Sequence, residues 1–416
     1  MTHSPAHSHG HSHGHSHRAP RDGDVAVGGR TRVVLLGFLG VVALLTVAGI
    51  VALWPDHGPV DRVRAAAPYA AKGVTTPDAE VLSVGPACPA EGSGSQASSG
   101  CDMVRVKVLE GAGKGQEASV RVPTEVASSG IGKGDHLELF RQPASDGQPV
   151  SYTYSTVRRA VPLLWLALLF VVVVLLVAGR RGALAVVGLV VSAATLYWFL
   201  LPALLSGKPG LAVACVSASA IMFVVLYSTH GISLRTSTAL AGTLVGIGLT
   251  ALVGSVVIGS AHLTGIADET GGTLATFAGN GLDFQGLLAC SMVLAGLGVL
   301  NDVTITQASS VWELRAAAPG SSRREVFASA MRIGRDHIAS TIYTIVFAYA
   351  GAALVVLMLL YVYDRPILDL ASSESLAEEV ARTFTSAIGL ILAVPVTTAI
   401  AALIAGPARS EDAVGE

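Results

Sequence analysis

Charge is what this 416-residue chain has least of. Asp, Glu, Lys and Arg make up 13% of it, against 51% hydrophobic residues. A soluble chain usually carries about 25% charged residues to coat its surface, so the balance excludes an ordinary soluble domain and indicates a multi-spanning membrane protein. A mean hydropathy of +0.60 agrees. No basic excess exists either: the formal net charge is −2, which leaves no footprint for nucleic acid. Cysteine is scarce, four residues in all, with no CxxC and no Cys/His spacing of a structural zinc site. GxSxG, HExxH and the phosphate-binding P-loop are also missing, so an enzyme is not expected. Without an ATP-binding domain, active transport would draw on an ion gradient or a separate ATPase.

Glycine, by contrast, is abundant at 46 residues. In apolar runs it lets helices pack closely in lipid. A spanning helix needs roughly 20 mostly apolar residues, and eight segments qualify: 33–53, 160–178, 182–205, 211–229, 239–261, 285–304, 338–362 and 384–405. The expected fold is therefore an α-helical integral membrane protein, with one N-terminal anchor and a seven-helix core over 159–406. The first span exceeds the roughly 7–15 apolar residues of a signal peptide, so it reads as a retained anchor. Cleavage near "RAAAPYA" is the alternative. Pro202 and Pro395 fall inside spans three and eight, where proline kinks or unwinds a helix. Gly242 and Gly246 form a GxxxG suited to close packing, and Cys215 and Cys290 sit in apolar spans as small packing residues.

Lys and Arg set the orientation. With the N-terminus inside, the inner segments hold Arg18, Arg21, Arg30, Arg32, Arg180, Arg181, Arg235, Arg315, Arg323, Arg324, Arg332, Arg335 and Arg409, while the short outer loops hold only Lys208, Arg365 and Arg382. That asymmetry places both termini, including the tails 1–32 and 407–416, in the cytoplasm. Segment 54–158 is then extracytoplasmic. It reads as five short strands, 79–84, 103–109, 118–122, 135–140 and 151–157, separated by glycine-rich turns. Such a pattern suits a small OB-like barrel, acting as a ligand-binding module or as a cap on the helices. Cys88 and Cys101 bracket the loop "PAEGSGSQASSG" in an oxidising compartment, where a disulfide is expected.

The N-terminus alternates histidine with Ser or Gly: His3, His7, His9, His11, His13, His15 and His17. Such a segment cannot build a core. Either it chelates a divalent metal through neutral imidazoles, or it is a tolerated low-complexity tail. No other cofactor is expected.

Two polar strips complete the inventory. Within "LGVLNDVTITQASSVWELR" (297–315), Asp302, Thr306, Ser309 and Glu313 recur at i, i+4, i+7 and i+11, one side of a helix that continues to a stop at Pro319–Gly320. "GRDHIAST" places Arg335, Asp336 and His337 at the start of span seven, followed by Thr341 and Thr344 on the His337 side. An acid facing lipid at the bilayer centre costs roughly 2.5–3.5 kcal/mol, which favours turning these strips toward each other. Arg335 is an expected partner for Asp302 or Glu313, and histidine is the side chain that changes charge near neutral pH. The strips then form either an inner vestibule that binds a cation or exchanges protons, or an ion-pair network that pins two helices. The segment "SSESLAEEVARTF" (372–384) reads as an amphipathic stretch along the outer surface.

These segments, with "RIGRDHIASTIYTIVFAYAGAAL" (332–354), "EEVARTFTSAIGLILAVPVTTAI" (378–400) and, upstream, "VKVLEGAGKGQEASVRVP", resemble the YibE/F-like family of bacterial membrane proteins over essentially 60–405. The resemblance implies a polytopic inner-membrane protein of this topology and brings no settled activity. The His-rich tail and the "CPAEGSGSQASSGC" loop depart from the family pattern. The expected function is a secondary transporter or permease component for an unknown solute. The alternative is a non-transporting scaffold or receptor whose β domain binds an envelope ligand.

Overall fold

The structure, a computed structural model, describes residues 25, 27–67, 69–71, 73–86, 102–144, 149–363 and 366–406. His3 to His17, Cys88, Cys101 and the 407–416 tail lie outside the described residues. The chain divides into two compact units, Arg62–Gly182 and Met1–Asp61 with Ala183–Glu416.

The first unit is built on β1 (Asp78–Val84), β2 (Met103–Val108), β3 (Glu117–Arg121), β4 (His136–Gln142) and β5 (Ser151–Val157). All five expected strands are present, their ends moved by at most two residues. They pair antiparallel in the order β3-β2-β1-β4-β5, and β3 also approaches β5, so the sheet nearly closes on itself. Strict alternation drives this: Val104, Val106 and Val108 point inward from β2 while Arg105 and Lys107 point out. The β2–β3 turn needs positive φ at Gly111 and Gly113, which only glycine adopts without strain. The short helix α3 (Thr124–Ala127) follows β3.

The helical elements are α1 (Gly29–Ala52), α2 (His57–Ala66), α4 (Ala160–Thr195), α5 (Leu201–Leu205), α6 (Gly210–His230), α7 (Leu234–Ser260), α8 (Glu269–Ala278), α9 (Phe284–Ala317), α10 (Arg323–Ala352), α11 (Leu354–Val362), α12 (Ile367–Ala371) and α13 (Glu374–Ile404). Six helical runs are long and apolar enough to cross a membrane, or seven if the bent pair α10–α11 is one span. The sequence suggests eight because it divides the 46-residue run Ala160–Leu205 in two. A crossing of a ~30 Å hydrocarbon core takes only about 20 helical residues. The run is interrupted at Gly179, whose φ of 54° and ψ of −131° are not helical, just before Arg180 and Arg181.

Three local expectations change. Pro395 lies within an unbroken α13, whereas Pro202 follows a π-helical turn at Leu196–Leu200. The sharp bend falls elsewhere, 66° between α10 and α11, where no proline stands. Residues 374–384 do not form a separate surface helix; they are the first turns of α13.

α7, α9 and α13 pack together at the centre of the helical unit, with α6 and α10 against them. Close approach is made by absent side chains. A Cβ on Gly242 would collide with Thr397, one on Gly246 with Leu300, and one on Gly389 with Thr250. The GxxxG of α7 is thus a packing surface for α13 and α9. Cys290 is buried and Cys215 half-buried, both as free thiols. Large apolar side chains such as Val33, Leu44, Leu176, Val355 and Tyr361 are exposed along α1, α4 and α11, a surface that suits contact with lipid.

Candidate functional sites on the central helices

α9 is 34 residues long, roughly 51 Å, so it outruns a hydrocarbon core and ends at the Ala318–Ser322 turn carrying Pro319 and Gly320. Its buried stripe is Leu300, Val303, Thr304, Gln307, Val311 and Arg315. Asp302, Thr306, Ser309 and Glu313 lie on the opposite side of the helix. Asp302 keeps 69% of its side-chain surface exposed, Glu313 is exposed, and Thr306 and Ser309 are half-buried. The strip expected to face inward therefore looks away from the three-helix centre.

One expected juxtaposition does form. His337 Nε2 of α10 lies 3.7 Å from Asp302 Oδ2, with 29% of the His337 side chain exposed. The separation is too long for a hydrogen bond, and Nε2 has no hydrogen-bond partner; the contact is a charge contact whenever the imidazole is protonated. Thr306 Oγ1 donates to the Asp302 carbonyl and Thr344 Oγ1 to the Ser340 carbonyl, so both hydroxyls serve their own helices. Thr341 is buried, Thr344 exposed. Arg335 and Asp336 are exposed, and among the described residues Arg335, Asp336 and Glu313 form no ion pair. Asp302 meets His337 rather than Arg335. A single contact between two helices does not make a vestibule.

Arg315 has a different role from the surface charge it resembles in sequence. It is 1% exposed; its Nε donates to the Ala405 carbonyl at 3.1 Å and its Nη1 to the Ser321 carbonyl at 2.5 Å. It ties the end of α9 to the end of α13 and to the turn before α10, whose start is closed by a Ser322–Glu325 capping box.

The buried side of α9 carries polarity without charge. Thr304 and Thr243 hydroxyls meet at 2.6 Å between α9 and α7. Gln307 Nε2 reaches the Ala330 carbonyl at 3.4 Å, and a Cβ on Gly334 would fall on that same amide. Asn301 Oδ1, Gln307 Oε1, Thr385 Oγ1 and Thr397 Oγ1 are buried and lack hydrogen-bond partners. With Thr243 and Thr304 these groups form a polar seam where α7, α9 and α13 meet, which Gln307 extends toward α10.

At the opposite end of these helices from Arg315 lies a cavity of about 390 Å³. One wall is the loop after α7 with Gly265 and Asp268; the second is the α10–α11 bend with Ala352, Ala353 and Val356; the third is the first turns of α13 with Glu378, Glu379 and Arg382. Two carboxylates fix the loop. Glu374 Oε1 accepts from the Thr264 amide at 2.6 Å and its hydroxyl at 2.9 Å, and Asp268 caps α8 through the Gly271 amide at 2.7 Å. Gly265, at φ +82°, comes so near the Phe284 carbonyl that no side chain fits. Arg382 pairs with Glu379 and donates to Ser291 Oγ at 3.1 Å. Glu378 is only 6% exposed; the Gly265 amide serves its carboxylate, and Oε1 has no partner. This cavity was not visible in the sequence, because the wall at 265–271 lies about 80 to 110 residues before the other two.

The helices and the small sheet define the class first: a chain that fits a multi-pass membrane protein carrying an antiparallel β unit. Residues 166–407 match the YibE/F-like protein family, and the chain belongs to that family. The match takes in the helices from α4 onward and does not extend over the five strands. No curated protein and no solved structure matches the chain.

Proposed function

We propose that this protein is a secondary transporter or permease component whose solute path follows the polar seam between α7, α9 and α13. The observation that carries the reading is the set of buried, unpartnered oxygens on Asn301, Gln307, Thr385 and Thr397. A buried polar group without a hydrogen bond costs roughly 1–3 kcal/mol. A lipid-embedded bundle keeps such groups where they face a solute or water path. The 66° bend of α10–α11 beside the Glu378 cavity supports the same reading, since broken helices recur at transporter binding sites. With both termini cytoplasmic, that cavity opens outward and the Asp302–His337 contact sits at the inner end, suited to exchanging a proton. The His-rich tail, on this reading, is a cytoplasmic metal-responsive appendage.

Flux into proteoliposomes tests the proposal. Native protein is expected to pass at least one member of a panel of small solutes under an imposed proton gradient. Gln307→Leu, which removes the amide while keeping most of its volume, is expected to cut that flux about tenfold or more with the protein still monodisperse. No gradient-dependent flux across the panel, or full flux through the Gln307→Leu protein, would reject it.

A second reading has its own observation. The strand ring β1-β2-β3-β5-β4, with a short helix after β3, is the arrangement of an OB-type barrel, a fold that binds extended ligands on one face. A receptor role for residues 62–182 would appear as ligand capture by the full chain in the absence of any flux.

A further inference from the structure

We infer that the cavity beside the α10–α11 bend is a binding site for a small primary alkylammonium ion. The inference deepens the transport reading by naming the class of solute that enters at this end, and its binding component can be measured without flux.

The lining carries three carboxylates, Asp268, Glu378 and Glu379, against one guanidinium, Arg382. Two of the acids are occupied: Glu379 by Arg382, and Asp268 by the start of α8. Glu378 is the exception. More than nine-tenths of it is buried, it lines the cavity, and its Oε1 accepts nothing. A buried carboxylate oxygen accepts a hydrogen bond from any O–H or N–H donor, but only a protonated amine also brings the opposite charge that offsets burial of the acid. Another part of the lining, Ala352, Ala353 and Val356, is apolar and offers nothing to a second charge. The cavity thus has one end for an ammonium head and one for a short alkyl body. Among the described residues no three His, Cys, Asp or Glu side chains converge as a metal site, so this donor set suits an ammonium ion rather than a metal ion. At about 390 Å³ the cavity matches the small end of small-molecule sites.

The test uses three near-isosteric probes, n-butylamine, n-butanol and butyrate, on the full-length protein in lipid nanodiscs at neutral pH, with binding followed by saturation-transfer NMR. Butylamine is expected to bind saturably and to resist competition by butanol and butyrate. Glu378→Gln keeps the shape and removes the charge; it is expected to weaken binding by about ten- to a hundredfold, the worth of a hydrogen bond to a charged group. Val356→Phe fills the apolar end without touching the acids, and is expected to weaken binding even if Glu378→Gln proves unstable. Equal competition by butanol, or undiminished binding in both variants, overturns the inference, as does the absence of saturable butylamine binding to the native protein. Flux in proteoliposomes separates this from the transport reading: binding without flux retains the site and rejects transport, whereas flux of other solutes without butylamine binding rejects the alkylammonium class alone.

Discussion

The two units differ in how much polarity they bury. The sheet unit is packed with Ala79, Val81, Val104, Val106, Val108, Val120, Val122, Leu137 and Leu139, all apolar. The helical unit buries Thr243, Thr250, Ser386, Thr397, Gln307 and Arg315 beside its leucines and valines. In water the transfer of apolar surface drives packing, so a small sheet has every reason to keep polar atoms out. Between helices in lipid that drive is weak, and association relies on close backbone approach and on hydrogen bonds. Glycines that admit Thr397 and Thr250 between α7 and α13 show the first, and the Thr243–Thr304 contact shows the second. Both units leave a few buried polar atoms without hydrogen-bond partners, Asp78 Oδ1 and Arg141 Nε in the sheet unit, but most of those among the described residues lie in the helical unit.

Substitutions in the two units separate apolar packing from polar packing. The largest effect belongs to the apolar core. Leu139→Ala is expected to destabilise the sheet by about 2–5 kcal/mol, read as loss of protease resistance between residues 62 and 182; an unchanged digestion pattern would contradict a tightly packed sheet. Next comes Arg315→Met, which strands the Ala405 and Ser321 carbonyls at about 1–3 kcal/mol each. A fall in Tm in detergent is the expected sign, and an unchanged Tm would show that the guanidinium is a surface charge after all. Gly242→Ala drives a methyl into Thr397 and should lower stability by about 1–3 kcal/mol. Gly248→Ala, with nothing within 4 Å, should leave it level or raise it by up to about 1 kcal/mol. Equal responses at the two glycines would remove the case for close α7–α13 packing. The smallest effect is expected of Asp302→Asn, within about 0.5 kcal/mol, because its side chain is mostly exposed and its histidine contact is long.

That last expectation reverses what the sequence suggests, and the reason is instructive. The strands were legible because alternation of valine with charge is a period that only one face can satisfy, as in "VRVKV". The spans were legible from length and composition, and the stop at Pro319–Gly320 from turn chemistry. The facing of α9 was not. Its N-terminal half is apolar nearly all round, so no stripe selects a core side. Charged Asp302 and Glu313 stand out in the sequence, yet the buried face is marked by uncharged Thr304 and Gln307 among valines and leucines. Arg315 counts toward orientation like any basic residue, although it is buried against carbonyls that belong to a turn and to the far end of the chain. The Glu378 cavity depends on a bend at Ala352–Ala353 that no proline announces.

Transport along the seam between α7, α9 and α13 requires that water reach it. Replacing Thr397 by cysteine in a chain whose four native cysteines are changed to serine puts a thiol of similar size at a fully buried position whose hydroxyl has no partner. A positively charged methanethiosulfonate reagent, applied to protein in sealed vesicles, is predicted to modify that thiol. If it modifies a cysteine placed at position 302 but leaves the one at 397 untouched, the seam is a dry packing interface and the transport account fails.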